Sequence, residues 1–349
     1  MKELYAGNAA NIADRILEVA QNIIGKNECI LVFPHKSVDG DCIGSSCAAV
    51  SIFRALGAKA WVMMPEKLPE NMSFMGVEDL LFYADDEFYS TCKVEGIVNS
   101  EVMSVDCSEG HRMGSVGDYF DKAPGKHLSI DHHEVTHLRN EYKWIEPEAS
   151  SASELVLYAA MAIANKVGKQ LSEVLDSRAA QCLLTGIVTD TGRFTYKNTR
   201  PETLEAAGIL MELGGDISSV CYNLFDRKKP QEFMISNTAC VNADMLFNGQ
   251  MAITCVTEKM FDEFSASTDD IADVVSRLRD IDGVELAVVL REAGQGVIRG
   301  NLRSSETVDC ALFASEFGGG GHKRAAGFSV NGDIEDIKKK VIEKAKELL

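Results

Sequence analysis

The chain has 349 residues, 46% of them apolar and 25% charged, which is typical of a globular protein long enough for two domains. Its net charge of −18 argues against a protein that coats long duplex nucleic acid, because such proteins are normally basic. No apolar run reaches the roughly 18 residues of a membrane span, and the N-terminal pattern lacks the apolar core of a signal peptide.

Strand-like apolar runs alternate with helical patterns through the first two-thirds of the chain. The N-terminal 21 residues have an amphipathic helical pattern, and further helical patterns cover residues 42–57 and 151–168. The strand candidates are "CILVF" (29–33), "AKAWVMM" (58–64), "GIVNSEVMSV" (96–105), "KHLSI" (126–130) and "LLTGIVT" (183–189), the last of which also fits the end of a helix. This alternation predicts an α/β fold with a mostly parallel sheet and helices on both faces. Such a sheet binds ligands beyond the carboxyl ends of its strands.

The last third of the chain predicts helices over about 200–240 and then a second, smaller α/β domain. The charged segment "DRKKPQE" is the predicted joint between the domains. The second domain is predicted to contain a strand (251–257), a helix (269–281), a hairpin (284–305), a short helix, a glycine-rich loop and a Lys/Glu-rich terminal helix (334–349). We therefore expect a first domain over 1–215, a helical linker over 216–240 and a C-terminal domain over 241–349.

Acidic residues and histidines follow apolar runs in four separate segments. They are His35, Asp39, Asp41, Asp106, Asp131, His132, His133 and Asp190. A single aspartate after a strand is commonly a helix cap, and a histidine pair is commonly a polar packing element. Four such segments in one alternating pattern favour a shared site at the strand ends.

The residue types in these segments indicate a metal site. Carboxylates and imidazoles without thiolates suit Mn²⁺ or Mg²⁺ better than a thiolate zinc site. The ten cysteines stand singly with no CxxC pair, which favours free thiols in a reducing cytoplasm. Six ligands exceed what one catalytic ion needs, but they suit two ions that share a bridging carboxylate and act on a phosphoryl group.

The segments "HKSVDGDCIGSS", "VDCSE", "IDHHE" and "TDTGRF" resemble the four motifs of the DHH phosphoesterase superfamily. The segment "EFGGGGHKRAAGF" (316–328) resembles the glycine motif of the DHH-associated C-terminal domain. The resemblance covers nearly the whole chain, with the motifs in the expected order. In size and layout the chain is similar to the nanoRNase group, which degrades short oligoribonucleotides and removes a phosphate from 3′-phosphoadenosine 5′-phosphate (pAp). Closely similar enzymes hydrolyse cyclic di-AMP or its linear product pApA.

The resemblance implies two Mn²⁺ ions, with Mg²⁺ or Co²⁺ as substitutes. It assigns one ion to His35, Asp39 and Asp106, and the other to Asp41, Asp106, His132 and Asp190, so that Asp106 is the bridge. It also implies that Asp131 orients an imidazole and that His133 faces the scissile phosphate. Gly44 to Ser46 are expected to open a helix whose free N–H groups favour an anion.

The resemblance also implies a substrate-binding role for the C-terminal domain. His322 and the arginine that matches at Arg303, with Arg299 as a weaker candidate, hold the far end of the substrate. Gly319, Gly320 and Gly321 allow the backbone to approach a ligand closely. The expected partners are a short single-stranded oligoribonucleotide or dinucleotide bound in a cleft between the domains, and a second copy in a homodimer, with no long duplex and no membrane.

Several alternatives stay open at this point. Manganese pyrophosphatases and exopolyphosphatases share the chemistry but lack the GGGH loop, and RecJ-type exonucleases are longer. A non-catalytic nucleotide-binding protein would show degenerate metal motifs, and none of the six ligand positions is degenerate. Thr136 and the segment 107–113 depart from the common family pattern, which leaves the choice among oligonucleotide, pAp and di-adenylate substrates open.

Overall fold

The computed structural model describes residues 3–26, 28–83, 101–134, 142–305 and 307–349. The chain consists of two compact units, Met1–Arg227 and Lys228–Leu349. The division falls within the "DRKKPQE" segment, so residues 216–227 belong to the first unit and residues 228–240 to the second. In the described ranges no helix is both long enough and apolar enough to cross a bilayer.

The first unit contains a six-stranded parallel sheet with the strand order β3-β2-β1-β4-β5-β6. The strands are β1 (Ile30–Phe33), β2 (Ala60–Met64), β3 (Leu81–Tyr83), β4 (Glu101–Val105), β5 (His127–Asp131) and β6 (Tyr142–Ile145). From β1 the chain adds β2 and β3 on one side of β1, and it then adds β4, β5 and β6 on the other side. The carboxyl ends of β1 and β4 therefore flank the topological switch point, where such sheets bind ligands.

Helices cover both faces of this sheet. The α-helices are α1 (Glu3–Ile23), α2 (Gly40–Ala55), α3 (Gly117–Lys122), α4 (Ala152–Val167), α5 (Ser177–Asp190), α6 (Pro201–Glu212) and α7 (Ile217–Cys221), followed by a π-helix (Tyr222–Asp226). Short 3₁₀ helices cover Glu70–Met75, Glu78–Leu80, Gly110–Val116 and Leu171–Glu173. Alternate residues of β1 enter two different cores: Ile30 and Val32 pack with α1, α2, α4 and α5, while Leu31 and Phe33 pack against the 110–120 region. The predicted α/β fold with helices on both faces is confirmed.

The strand prediction for residues 183–189 is wrong, and the helical alternative is correct. The segment lies in α5, where Asp176 caps the first turn by accepting a hydrogen bond from the backbone N–H of Ala179 at 2.8 Å. Its apolar run is continuous because α5 is buried between other helices, and a short apolar run does not distinguish a buried strand from a buried helix. Of the candidate strand 96–105, residues 101–105 form β4 and the others lie outside the described residues. The short strands β3 and β6 were not predicted.

The second unit has its own six-stranded sheet, ordered β11-β12-β10-β9-β8-β7. Its strands are β7 (Asp244–Leu246), β8 (Met251–Val256), β9 (Leu286–Glu292), β10 (Val297–Ser304), β11 (Gly320–His322) and β12 (Ala325–Asn331). Among the described strands of this second sheet, only β8 and β9 pair in parallel. The helices are α8 (Pro230–Val241), α9 (Glu258–Phe264), a 3₁₀ turn (Thr268–Ile271), α10 (Val274–Arg279), α11 (Cys310–Ser315) and α12 (Ile334–Ala345).

The hairpin predicted over 284–305 is confirmed, with β9 and β10 antiparallel on either side of residues 293–296. The helix predicted over 269–281 is divided into the 3₁₀ turn and α10. The predicted glycine-rich loop is also partly wrong, because Gly320 and Gly321 belong to β11, an edge strand paired with β12. Glycine runs weaken a strand prediction, and here only pairing with β12 produces the extended conformation.

Candidate metal centre

The first unit brings its acidic and histidine segments together at one edge of the parallel sheet. His35 follows β1, Asp106 follows β4, and Asp131 is the last residue of β5, directly before His132 and His133. Because the three strands are parallel neighbours, their carboxyl ends share this edge. Asp106 has a left-handed backbone with φ of 59°, which costs free energy in a residue other than glycine and is common at functional sites.

Asp106 lies between two imidazoles. Its Oδ2 lies 3.3 Å from Nε2 of His35, and its Oδ1 lies 3.3 Å from Nε2 of His132. Asp106 is 2% exposed, and its Oδ1 has no hydrogen-bond partner of good geometry among the described residues. A buried carboxylate oxygen without a partner is costly, so this atom is well placed to bind a cation.

The remaining predicted ligands surround these two imidazoles. Nε2 of His132 lies 3.1 Å from Oδ2 of Asp190 and 3.9 Å from Oδ2 of Asp41. Nε2 of His35 lies 3.7 Å from Oδ2 of Asp39. Nδ1 of His35 is 2.8 Å from the carbonyl oxygen of Lys36, and donation to that oxygen leaves Nε2 free to act as a ligand.

Asp131 and His133 form a second layer of the same centre. Nδ1 of His133 lies 2.8 Å from Oδ1 of Asp131, which also accepts a hydrogen bond from the backbone N–H of His133. The other carboxylate oxygen of Asp131 accepts from the hydroxyl of Ser108 at 2.7 Å. Asp131 is fully buried, whereas the His133 side chain is 38% exposed. The ring of His133 is therefore held on one side and open on the other.

Asp41 is positioned by the N-terminus of α4. Its two carboxylate oxygens accept hydrogen bonds from the backbone N–H groups of Ala152 (2.7 Å) and Ser153 (2.9 Å). These are first-turn donors, which have no partner within the helix and favour a negative charge. The interaction fixes a fully buried carboxylate beside the imidazole of His132.

Close packing of α2 against α5 brings Asp41 and Asp190 to the same place. A Cβ atom on Gly44 of α2 would lie 2.2 Å from the carbonyl oxygen of Cys182 on α5, and one on Gly186 of α5 would lie 2.9 Å from the Cα atom of Asp41 on α2. Glycine is thus required at both positions for the two helices to approach. The approach places Asp190, the last residue of α5, beside His132.

The electrostatics of the centre favour bound positive charge. Burial alone would lower the pKa of His132, but contacts with Asp106 and Asp190 raise it to about 11, and a similar balance raises the pKa of His35 to about 9. Burial raises the pKa of Asp41, and Asp106 and Asp190 raise it further. In the absence of metal, protons on the imidazoles therefore balance the carboxylates, and a divalent cation would take over that role. The donor set of carboxylates and imidazoles fits divalent cations.

Comparison with known protein families finds two matching domains. Residues 29–187 match the DHH family, N-terminal domain, and residues 248–347 match the DHHA1 domain. The chain contains a DHH domain followed by a DHHA1 domain.

The chain is similar along most of its length to two curated relatives and to one solved structure. The bifunctional oligoribonuclease and PAP phosphatase NrnA of Thermus thermophilus is 27% identical, over 92% of this chain and 90% of its own length. The cyclic-di-AMP phosphodiesterase PdeA of Listeria monocytogenes is 26% identical over 88% of this chain and 45% of its own. A crystal structure of an exopolyphosphatase-related protein from Bacteroides fragilis covers 99% of this chain and 98% of its own, with a TM-score of 0.81 and 23% identity, which shows the shared fold.

Some features of the candidate metal centre were not expected from the sequence. The thiol of Cys42 lies close enough to His35 and Asp106 to complete a ligand group, although burial raises its pKa well above the usual value and so favours the neutral thiol. Ser108, which holds Asp131, was also missed, because nothing in sequence spacing links it to β5. The expectation for Gly44 to Ser46 is wrong, since α2 begins at Gly40 and these residues lie inside the helix. Thr136 lies outside the described residues.

A network of hydrogen bonds connects the candidate metal centre to α4 and α6. The amide of Asn198 donates to the carbonyl oxygens of Asp190 (3.1 Å) and Ser150 (3.0 Å). The buried carboxylate of Glu154 accepts hydrogen bonds from the hydroxyl of Ser150 (2.5 Å) and the hydroxyl of Thr203 (3.1 Å). The network anchors both the end of α5 and the start of α4, which carry or hold two of the predicted ligands.

The DHHA1 domain places the other predicted site residues on one face of its sheet. Arg303 pairs in register with Ala325, which in turn pairs with His322, so the three side chains point to the same side. Arg303, His322 and Arg299 are exposed. Gly319 and Gly321 are close to the backbone of β12, because a Cβ atom would lie 2.2 Å from the carbonyl oxygen of Gly327 and 2.6 Å from that of Ala325, respectively. Gly320 has open space where a Cβ atom would be.

Proposed function

We propose that this protein hydrolyses short oligoribonucleotides to 5′-mononucleotides and pAp to AMP, using two Mn²⁺ ions. The single observation that carries the proposal is the shared carboxylate of Asp106, which turns one oxygen toward His35 and the other toward His132. Two ligand groups that meet at one aspartate suit two ions acting on one phosphate. The named activities of the NrnA relative support the choice of substrate.

In this proposal one ion is held by His35, Asp39 and Asp106, and the other by Asp41, Asp106, His132 and Asp190. Bound there, the ions supply Lewis-acid chemistry, since they lower the pKa of a water and offset the charge of the phosphoryl oxygens. Mg²⁺ or Co²⁺ would be substitutes. Cys42 is left out of the ligand set because its thiol stays neutral at its raised pKa.

The protein's own groups then position the substrate. His133, held by Asp131 through Nδ1, faces the scissile phosphate with the exposed side of its ring. Asp131 is in turn held by Ser108, so the orientation of the imidazole does not depend on the substrate. Groups that are fixed in this way do not have to reorganise as charge develops during the reaction.

The second unit supplies the substrate-binding residues in this proposal. Arg303 and His322 bind a phosphate or base remote from the scissile bond, with Arg299 as a weaker alternative for the arginine. Gly319, Gly320 and Gly321 leave room for the ligand to lie against the backbone. Two observations support this role. Arg303 and His322 are exposed on one face of the sheet, and they form no ion pair or side-chain hydrogen bond with any described residue.

A second candidate function is hydrolysis of cyclic di-AMP or pApA, which the named activity of the PdeA relative favours. Both functions use the same metal centre, so the substrate decides between them. The test is to prepare metal-free protein, restore Mn²⁺ and measure kcat/KM for pAp, di- and triribonucleotides, pApA and cyclic di-AMP. We expect oligoribonucleotides and pAp to be the best substrates. A value at least about tenfold higher for cyclic di-AMP, or about 1.4 kcal/mol in transition-state binding, would favour the second function. Hydrolysis unaffected by excess chelator would overturn both.

A further inference from the structure

One half of a sheet face in the second unit is open. On this face α8 and α10 pack over Ala287 and Val289 of β9 and their neighbours on β8. Further along the same face, Arg299, Asn301 and Arg303 of β10 are exposed, alternating with buried residues that point to the opposite core. We call the surface formed by Arg291, Arg299, Asn301, Arg303, Ser329 and His322 the open face.

Two arginines stand directly opposite each other on the open face. Arg299 of β10 is in register with Arg291 of antiparallel β9, and residues in register point to the same side. Like charges directly opposite on neighbouring strands destabilise a sheet. Burial lowers the pKa of Arg291 and the charge of Arg299 lowers it further, with only Asp269 opposing them.

Asp269 acts on this pair only at a distance: it raises the pKa of Arg291 but forms no ion pair with either arginine. Neither Arg291 nor Arg299 forms an ion pair or a side-chain hydrogen bond with another described residue. Glu292, the next residue of β9, is in register with Ile298 and so lies on the opposite face, where it accepts a hydrogen bond from the backbone N–H of Glu258. In a chain of net charge −18, two adjacent arginines without a carboxylate partner indicate a site for an anion from outside the protein.

The arginine pair lies apart from Arg303 and His322, and Arg299, named above as a weaker alternative to Arg303, is assigned here to the pair. Arg299 and Arg303 are four residues apart on one extended strand, which corresponds to about 13 Å between their Cα atoms. Ser329, in register with Arg299 on β12, adds an exposed hydroxyl beside the pair. Guanidinium groups bind phosphate oxygens in pairs of parallel hydrogen bonds, which fits two arginines that converge on one phosphate.

We propose that Arg291 and Arg299 bind a further phosphate of an oligonucleotide, beyond the group held by Arg303 and His322. This inference rests on the proposed function. A substrate needs three phosphates to fill the metal centre, the Arg303–His322 position and the arginine pair. The pair therefore distinguishes a 5′-phosphorylated trinucleotide such as pApApA from pApA and pAp.

The test compares KM and kcat for pAp, pApA and pApApA in the wild-type protein and in Arg291→Gln, Arg299→Gln and Arg299→Lys variants, all with Mn²⁺. We expect both glutamine variants to raise KM for pApApA about tenfold, which is the loss of one charged contact, and to leave pAp and pApA within about twofold. The slope of log KM against log salt for pApApA should fall by about 0.7, since one phosphate contact is lost. Arg299→Lys keeps the charge without the paired hydrogen bonds and should give an intermediate KM.

Lys339→Gln is the matched control, because it removes one exposed positive charge from α12 without touching the open face. Thermal unfolding of ligand-free protein shows whether the variants fold, and loss of like-charge repulsion predicts no lower Tm for Arg299→Gln. Equal losses on all three substrates, or no loss on any, would overturn the inference while the proposed function stands. If the wild-type protein hydrolyses none of the three, the proposed function and this inference fail together.

Discussion

At the scale of single residues, the metal centre depends on how its side chains are held. The two carboxylate oxygens of Asp106 face different imidazoles, those of His35 and His132. Asp39 is half exposed and lies beside the imidazole of His35 only. Asp41 is held by backbone donors of α4, and Asp131 by the hydroxyl of Ser108. Replacements at these positions should therefore differ in severity, and the differences follow from the contacts.

Asp106→Ala should lower kcat by several orders of magnitude and should do more damage than Asp39→Ala, because both proposed ions lose a shared ligand. Steady-state kinetics and the Mn²⁺ content of purified protein measure the effect. Asp118→Ala is the control, since Asp118 is an exposed residue of α3 paired with Lys122. If Asp106→Ala keeps more than about a tenth of the activity, equivalent to about 1.4 kcal/mol of barrier, the bridging role is wrong.

Cys42→Ala should leave kcat and the Mn²⁺ content within about twofold of the wild type, because the thiolate and not the thiol is a metal ligand. Burial, together with the charges of Asp106 and Asp39, raises the pKa of this thiol. Metal analysis of Cys42→Ala beside His132→Ala provides the comparison, and only the histidine variant should lose metal. A comparable loss from Cys42→Ala would place the thiol among the ligands.

At the scale of elements, the centre is assembled by the packing of α2 against α5. Gly44 and Gly186 allow the two helices to approach. At their contact, the N-terminus of α4 donates a backbone hydrogen bond to Asp41. The ligands at the ends of β1, β4 and β5 share an edge through strand pairing alone, but Asp190 reaches that edge only through helix packing. A small increase in volume between the helices should therefore affect the centre.

Gly186→Ala should destabilise the protein by about 1–3 kcal/mol, because the added methyl group collides with Ser153 and Asp41 in a fully packed region. It should also weaken Mn²⁺ binding, since Asp41 is one of the proposed ligands. Denaturant unfolding and a metal titration measure the two effects.

Gly208→Ala is the matched control for this experiment. Gly208 is an exposed residue of α6, and a Cβ atom there would have no neighbour within 4 Å. The change should stabilise the helix by up to about 1 kcal/mol and leave metal binding unchanged. If Gly186→Ala has the same free energy of unfolding and the same Mn²⁺ affinity as the wild type, the close approach of the helices is not needed.

At the scale of the whole molecule, the chain divides the proposed tasks between two compact units. The metal centre belongs entirely to Met1–Arg227, and Arg303 and His322 belong to Lys228–Leu349. If the second unit serves substrate binding, its residues should matter only for substrates large enough to need it.

Arg303→Ala and His322→Ala should each lower kcat/KM for short oligoribonucleotides severely, by about a hundredfold, because remote binding energy helps to position the scissile phosphate. Bis(p-nitrophenyl) phosphate, which has no remote phosphate, should be hydrolysed nearly as before, and the Mn²⁺ content should not change. Lys339→Ala controls for the loss of an exposed charge. Equal losses on both substrates would mean that these residues serve the fold or the metal centre.

The sequence by itself determined the fold class of the first unit and most of the residues that meet at its candidate metal centre. For His35, Asp106 and the 131–133 segment it did so because these residues follow or end strands, and parallel strands place their carboxyl ends at one edge. The sequence was insufficient where structure depends on pairing or packing between distant segments. Residues 183–189 are helical because α5 is buried among other helices, and Gly320 and Gly321 are extended because β12 pairs with them.

Only the tertiary structure decided which groups hold the ligands and which charges stand together. Ser108 and the N-terminus of α4 have no signal in sequence spacing, because hydrogen bonds between segments far apart in the chain depend on how those segments pack. The same is true of Arg291 and Arg299, which are eight positions apart in the sequence and become neighbours through the register of the β9–β10 hairpin. A one-residue change of register would turn them to opposite faces, because side chains alternate along a strand.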